Sequence, residues 1–113
     1  MTCIFCKIAG GEIPAQIVHQ TDDVIAFNDL NPQAPHHILI IPKKHYTTLN
    51  DVSVDDSAIL GKLVSAATQI ATSLNIAEDG YRVVMNCNRN GGQSVYHIHL
   101  HLLGGRHIAW PPG

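Results

Sequence analysis

The chain has 113 residues, of which 45% are hydrophobic and 14% charged, and its formal net charge is -2 with neutral histidines. This length predicts one domain over residues 1–113, and the apolar content argues against global disorder. The charge provides no broad basic surface for nucleic acid or anionic lipid. No apolar stretch approaches the roughly 20 residues of a membrane-spanning helix, and the N-terminus lacks the pattern of a signal peptide.

Turn-forming residues and apolar runs predict the first elements. Glycines at residues 10–11 and Pro14 mark an N-terminal turn segment. Residues 16–20 and 23–29 are then expected to form a hairpin, with residues 21–22 near its turn.

A loop, a buried strand and one clear helix follow. Two prolines three positions apart make residues 31–35 a loop, and the continuous apolar run at residues 37–42 predicts a strand in the middle of a sheet. Apolar residues at helical spacing predict an amphipathic helix over residues 53–75. Ser53 and Asp56 resemble a capping box at its start.

The C-terminal half completes the sheet. Residues 81–88 predict a strand, residues 90–92 a turn, and residues 94–103 a last long strand. Several adjacent strands with one main helix indicate an α+β fold, built on an antiparallel sheet of about five strands with the helix over one face.

Three histidines occupy alternate positions in the last predicted strand. Because strand side chains alternate between faces, His97, His99 and His101 are expected on one face and the intervening apolar residues on the other. Successive Cα atoms on that face are about 6.7 Å apart, which lets neighbouring imidazoles reach one tetrahedral anion. A solvent-exposed polar face, metal binding and catalysis all remain compatible with the spacing alone.

The residues around the triplet favour chemistry on a phosphoryl group. A glycine turn precedes Gln93 and Ser94 and can present backbone N–H groups to an anion. His37 adds an imidazole at the start of another strand, and Asn86 lies on a neighbouring one. One imidazole nucleophile surrounded by donors is the arrangement that phosphoryl transfer needs.

The segment from His97 to Leu103 resembles the signature of the histidine triad (HIT) superfamily, and it reads HIHLHLL. The similarity extends over nearly the whole chain, including AFNDLNPQAPHHILIIPKKH and GGQSVYHIHLHLLGG. The segments GYRVVMN and WPPG make the chain similar to the Hint branch, the histidine triad nucleotide-binding proteins, rather than to the dinucleoside polyphosphate hydrolases. This resemblance implies a HIT-like fold.

The resemblance also implies a reaction. His99 would attack the α-phosphorus of a nucleoside 5'-phosphoramidate or mixed anhydride, and water would then cleave the nucleotidyl-histidine. His101, His37 and backbone N–H groups near Gln93 and Ser94 would hold the phosphoryl charge, so catalysis would need no cofactor. The Ser94 hydroxyl would donate a proton to the leaving group.

The nucleoside site implied by the resemblance lies after the second strand. Asp29 would accept both ribose hydroxyls, and Asn86 would orient a phosphate or the ribose. Asn28 stands where eukaryotic relatives have a histidine, which leaves the purine preference open. Ordinary core packing, and for Asp29 a turn-forming role, are the alternatives. The apolar slot for a purine base would be formed by Phe27, Leu30, Ile4 and Phe5.

The cysteines are three, an odd number that argues against a disulfide scaffold and favours a reducing cytoplasm. Cys3 and Cys6 form a C-x-x-C pair, which suits zinc, a redox motif or two unremarkable small residues. The resemblance implies one structural zinc completed by His45 and His97. Cys87 is expected to be a filler in the core or at the surface.

Three functions remain distinct at this point. They are a purine nucleoside phosphoramidate hydrolase, a nucleotide-binding scaffold (or dinucleoside polyphosphate hydrolase), and a histidine-rich metal-binding protein. The resemblance implies a homodimer in which Trp110 reaches the partner's site, and it selects His37 over the adjacent His36 as the site residue. His19 and His107 are expected at the surface.

Overall fold

A computed structural model of the protein describes residues 3–113, and its centre is one five-stranded sheet. The strands are β1 (Ile17–Gln20), β2 (Val24–Asn28), β3 (His36–Pro42), β4 (Tyr81–Val84) and β5 (Leu100–Gly104). They lie in the order β1-β2-β3-β5-β4, and each neighbouring pair is antiparallel. The helices are α1 (Ile4–Ala9), α2 (Ala58–Ser73) and α3 (Asn88–Gly91). None of the helices in this described range is long and apolar enough to cross a membrane.

One face of the sheet packs against α2, and this confirms the predicted α+β architecture with one main helix. The buried stripe of α2 consists of Leu63, Ile70 and three alanines, which recur at helical spacing. Ile38 and Ile40 of β3 meet this stripe because alternate strand residues share a face. The small alanine side chains let the helix approach the sheet closely.

The opposite face carries a second, smaller core under α1. Phe5 and Ile8 of α1 pack against alternate residues of β2 and β3, among them Phe27 and Leu39. A six-residue helix is not stable alone in water, so this packing must stabilise it. The sequence predicts only a turn segment near here. Its glycines do mark the end of α1, at Gly10.

The predicted helix over residues 53–75 is wrong at its start. Val54–Asp56 is a separate 3₁₀ turn, and the α-helix begins at Ala58. Ser53 Oγ accepts the backbone N–H of Asp56 at 3.3 Å, as a capping box requires. The Asp56 carboxylate instead accepts the Tyr46 hydroxyl at 2.9 Å and Lys44 Nζ at 3.2 Å. The Asp56 carboxylate, which would have completed the capping box, is therefore bonded to Lys44 and Tyr46 instead.

The last two strands are shorter than predicted. The sequence suggested a strand over residues 94–103, but β5 begins at Leu100, opposite Ile40. Upstream, the Ile98 N–H bonds to the Tyr46 carbonyl at 2.8 Å, outside the sheet ladder. On the neighbouring strand β4 ends at Val84, and α3 occupies the predicted turn. A strand ends where its hydrogen-bonded partner strands end. The periodicity of a single segment does not show where that is.

Leu63→Ala is expected to lower the free energy of unfolding by about 2–5 kcal/mol, because the substitution leaves a cavity between α2 and the sheet. Leu63 is 0% exposed. Gln69→Ala, at an exposed position of the same helix, is the control and should change it by about 0.5 kcal/mol or less. Urea denaturation followed by circular dichroism measures both. Equal effects of the two substitutions would contradict the packing described.

Candidate active site

The three alternating histidines serve two different sites. His97 is fully buried, and its ring faces the thiols of Cys3 and Cys6. His99 and His101 line a cavity of about 280 Å³, and their ring centroids are 5.0 Å apart. The triplet therefore lies between a cavity and a thiol–imidazole cluster.

His99 is held in one tautomer by the chain itself. Its Nδ1 lies 2.8 Å from the backbone carbonyl oxygen of His97. Because a carbonyl only accepts, Nδ1 carries the proton and Nε2 keeps a free lone pair. Every fully buried side-chain nitrogen or oxygen in residues 3–113 has a hydrogen-bond partner, whereas Nε2 of His99 has none within that range. Nε2 is therefore accessible from the cavity. Phe5 packs edge-on against the ring at 5.2 Å.

His37 and His101 form a pair beside His99. Their Nε2 and Nδ1 atoms are 2.9 Å apart, because His37 and Leu103 are register partners and His101 precedes Leu103 by two on the same face. Burial lowers the pKa of His37 against the opposing effect of Asp29. Burial, followed by the nearby His99 and His37, lowers the pKa of His101 to about 4. Both imidazoles are thus neutral at pH 7.

The cavity has an apolar wall and a polar end. Ile4, Phe5 and Ile8 of α1 face Phe27 and Leu39 across it. Phe5 and Phe27 are nearly buried, with ring centroids 5.5 Å apart, whereas Ile4 is half exposed and Leu30 is 99% exposed at the mouth. The volume is near the lower end of small-molecule pockets, about 300 Å³. The polar end is formed by Asp29, Ser94, His99 and His101.

Asp29 has the turn-forming role and also lies at the polar end of the cavity. Its Oδ1 accepts the backbone N–H of Asn31 at 2.7 Å, which is a turn-forming contact. Its Oδ2 lies 3.5 Å from His37 Nε2 at the cavity's polar end. The turn therefore occupies one carboxylate oxygen and directs the other toward the histidines.

Two of the predicted nucleotide-binding residues lie outside the cavity lining. The side chain of Gln93 is buried and bridges the loops, accepting from Asn88 N–H and donating to the carbonyls of Thr47 and Val95. The Gln93 N–H, predicted to face a phosphate, bonds to the Asn88 carbonyl at 3.1 Å. Asn86 packs beneath Gly91. A single sequence does not reveal that a polar side chain is already used in bracing a loop.

Seven lining residues were not predicted as part of a site from the sequence. They are Ile8, Ile13, Pro14, Ala15, Gln16, Leu39 and Val95. Leu39 has the strand parity of His37, and Ile8 follows Ile4 by one helical turn, so both carry a usable signal. Ile8 was missed because α1 itself was not predicted.

Behind the cavity, four ligand atoms converge. The sulfur and Nδ1 atoms of Cys3, Cys6, His45 and His97 all lie within 4.8 Å of one another. Three sulfur–nitrogen separations are 3.4, 3.3 and 3.5 Å, and the two nitrogens are 3.2 Å apart. Tetrahedral zinc, with bonds of about 2.3 Å to sulfur and 2.0 Å to nitrogen, would set these separations at about 3.6 and 3.3 Å.

The surroundings of the cluster suit a cation. His97 Nε2 lies 2.8 Å from the Pro42 carbonyl, so Nε2 carries the proton and Nδ1 offers its lone pair. Burial, and then Cys3 beside it, raise the pKa of the Cys6 thiol. A positive charge is what would make two adjacent thiolates favourable there. These residues could hold a metal ion.

Comparison with known proteins agrees with this geometry. A family model described as HIT domain matches residues 10–108. The chain belongs to the HIT domain family. The purine nucleoside phosphoramidase of Escherichia coli (strain K12) is 58% identical over 103 residues, which cover 91% of this chain and 87% of that protein. The resemblance to the histidine triad superfamily is therefore confirmed.

Solved structures from the family have the same fold. A HIT family hydrolase from Legionella pneumophila Philadelphia 1 superposes with a TM-score of 0.97 at 56% identity, covering 99% of this chain and 100% of that one. A histidine triad nucleotide-binding protein from Candida albicans gives a TM-score of 0.82 at 34% identity, covering 97% and 83% respectively.

The buried histidine pair of this HIT domain predicts acid sensitivity. Between pH 6.5 and about 4 the unfolded chain binds a proton at His101 that the folded chain does not. The free energy of unfolding should therefore fall as the pH falls through this window, by up to about 1.4 kcal/mol per pH unit for one proton. His101→Asn should flatten that slope. Urea titrations at several pH values measure it.

His107→Asn, at an exposed histidine, is the matched control and should leave the slope unchanged. An identical slope in wild type and His101→Asn would show that the folded and unfolded states protonate residue 101 alike.

Proposed function

We propose that this HIT-domain protein hydrolyses purine nucleoside 5'-phosphoramidates through a nucleotidyl intermediate on His99. One observation carries the proposal: His99 Nδ1 is tied to the His97 carbonyl at 2.8 Å while Nε2 is open to the cavity. The phosphoramidase activity named for the E. coli relative supports it. The apolar wall next to a carboxylate suits a nucleoside, which has a flat base and a diol.

The first step joins His99 Nε2 to the α-phosphorus. The phosphorus–nitrogen bond of the substrate breaks, and the amine takes a proton, for which the exposed Ser94 hydroxyl at the cavity's polar end is the proposed donor. The new nucleotidyl-imidazolium keeps its Nδ1–H on the His97 carbonyl, so that carbonyl stabilises the developing positive charge. Water then attacks the phosphorus and its proton returns to the Ser94 oxygen, while the bond from phosphorus to Nε2 breaks and His99 departs as neutral imidazole.

The remaining polar groups hold the substrate through both steps. His101, supported by His37, donates to a phosphoryl oxygen without any cofactor. Asp29 accepts the ribose hydroxyls with its Oδ2, because Oδ1 is engaged by the turn. Phe27, Leu30, Ile4 and Phe5 enclose the base. We assign no nucleotide contact to Gln93, whose polar groups are satisfied within the loops.

His99→Ala should lower kcat/KM for adenosine 5'-phosphoramidate by at least about 10³-fold, because the covalent route is lost. His36→Ala is the control, since His36 neighbours His37 but points to the other face of the sheet. Steady-state turnover and acid-quenched 31P spectra of the protein measure both effects. Hydrolysis retained by His99→Ala would refute the covalent mechanism, and nucleotide binding without wild-type turnover would favour a scaffold role.

A panel of leaving groups on one nucleotide defines the substrate further. Nucleotides with an amine leaving group should be hydrolysed with a higher kcat/KM than dinucleoside polyphosphates. Adenosine and guanosine phosphoramidates compared in parallel would define the base preference at the slot beside Asn28.

We also propose one structural zinc per chain at Cys3, Cys6, His45 and His97. The near-tetrahedral spacing of the four ligand atoms supports it. Bound there, zinc would supply no Lewis acidity to the substrate, because His97 lies outside the cavity lining. It would instead link three segments of the chain: the start of α1, the residues just after β3, and the backbone at His97.

Removal of this zinc should destabilise the fold. Protein purified without added metal is expected to contain about one zinc per chain, and Cys3→Ser with Cys6→Ser should abolish it. At a free zinc concentration 100 times Kd, binding contributes about 2.7 kcal/mol to the free energy of unfolding. Elemental analysis and thermal unfolding measure the two effects. Cys87→Ser, away from the cluster, is the control, and zinc retained by the double variant would contradict the assignment.

Further properties follow as proposals from the family. We propose one domain over residues 1–113, a homodimer and a reducing, cytoplasmic setting. Half-exposed Val64 on α2 and Val83 on the edge strand β4 support a subunit contact, and Trp110 is 80% exposed. Sedimentation equilibrium tests the dimer.

The cysteines support the reducing setting, because none of those at positions 3, 6 and 87 is in a disulfide.

A further inference from the structure

A series of hydrogen bonds runs from the protein surface to His101. Arg106 Nη2 donates to the Gln33 carbonyl at 2.8 Å. The backbone N–H of Gln33 donates to His37 Nδ1 at 3.0 Å. His37 Nε2 lies 2.9 Å from His101 Nδ1. Gln33 and Arg106 both lie outside the cavity lining.

The bond from the Gln33 N–H to His37 decides the direction of the next bond, between His37 and His101. A backbone N–H only donates, so His37 Nδ1 must accept and carries no proton. In neutral His37 the proton then lies on Nε2, which donates to His101 Nδ1. His101 in turn carries its proton on Nε2, the atom that has no partner within residues 3–113 and is accessible from the cavity.

We propose that Gln33 and Arg106 are positioning residues, which fix the His37–His101 pair in the tautomer that presents His101 Nε2–H to the phosphoryl group. This inference rests on the proposed function, in which His101 donates to that group. In the opposite tautomer His101 Nδ1–H would donate to His37, and the lone pair of His101 Nε2 would face the phosphoryl oxygens. A stabilising donor would become a repelling acceptor.

The loop that supplies this N–H is fixed on several sides. Gln33 Nε2 donates to the Asn31 carbonyl at 3.0 Å, and the Asn31 N–H is held by Asp29. Gly105 follows β5 with φ +91°, and a Cβ there would lie 2.8 Å from Pro35 Cβ. This close approach, open only to glycine, places Arg106 against the loop. The contact between Gly105 and Pro35 thus explains why Arg106, the next residue, can reach Gln33.

The matched pair Gln33→Pro and Gln33→Ala separates the N–H from the side chain. Proline removes the backbone donor, whereas alanine removes only the side-chain bond to Asn31. Imidazole 15N spectra of the ligand-free protein at pH 7 report each histidine's tautomer. Of these two variants, we expect only Gln33→Pro to show mixed tautomers at His37 and His101. Its kcat for adenosine 5'-phosphoramidate should fall by about tenfold with KM little changed, as for loss of one hydrogen bond made in the transition state.

Arg106 provides a second test that does not alter the loop backbone. Arg106→Leu leaves the Gln33 carbonyl without its donor, so we expect a smaller loss of kcat, by about threefold, and partial tautomer mixing. Arg106→Lys can still donate to the carbonyl and should restore both signals. Wild-type spectra and kcat in Arg106→Leu would overturn the role of Arg106.

Two outcomes would overturn the role of Gln33. One is an unmixed Nε2–H tautomer of His37 in Gln33→Pro, and the other is equal mixing in Gln33→Ala. The spectra need no turnover, so they test the positioning even where the proposed reaction fails. Absence of wild-type hydrolysis with the expected tautomers would refute the reaction and leave the hydrogen-bond series intact.

Discussion

The bond from His99 Nδ1 to the His97 carbonyl is the constraint on which the rest of the site depends. It joins residues two apart, in the segment just before β5 that has no neighbouring strand. A carbonyl inside the ladder would be paired with another strand. The start of β5 at Leu100, later than the sequence predicts, therefore leaves this carbonyl available for the imidazole. His97 then takes part in both sites, through its ring in the thiol cluster and through its carbonyl on His99.

The two faces of the sheet separate stability from chemistry. On the α2 face, isoleucines, leucines and alanines make up most of the core, which also includes Tyr46 but no histidine among its described residues. On the α1 face, aromatic and aliphatic side chains lie next to imidazoles, and Phe5 contacts Phe27, His97 and His99 edge-on. The alternation of β3 makes this possible within one strand, because His37 and Leu39 lie on the cavity side of the sheet while Ile38 and Ile40 face α2.

The accuracy of the sequence predictions varied with the range of the interactions involved. Strand alternation allows only one of His36 and His37 to enter the site, and the family resemblance selected His37, which lies beside His101. Val24–Asn28 pairs with its neighbours as expected, because strand parity is a local property. The ends of β4 and β5 depend on where partner strands stop. Helix α1 depends on a core that only the folded chain assembles. Gln93 shows the same limit within the site, because its polar groups serve loops distant in sequence, such as Thr47.

Burial of the histidines favours a covalent route over simple charge neutralisation. A protonated His101 would attract the phosphoryl oxygens more strongly, but its ring centroid is only 5.0 Å from that of His99. The nucleotidyl-imidazolium that we propose on His99 would itself be positive, and two unit charges at about 5 Å repel by about 3 kcal/mol at an effective dielectric constant of about 20. Desolvation, which lowers the pKa of His101 to about 4, removes that repulsion. In the proposed mechanism, a neutral His101 fixed by its neighbours therefore holds the anion while the adjacent His99 becomes cationic.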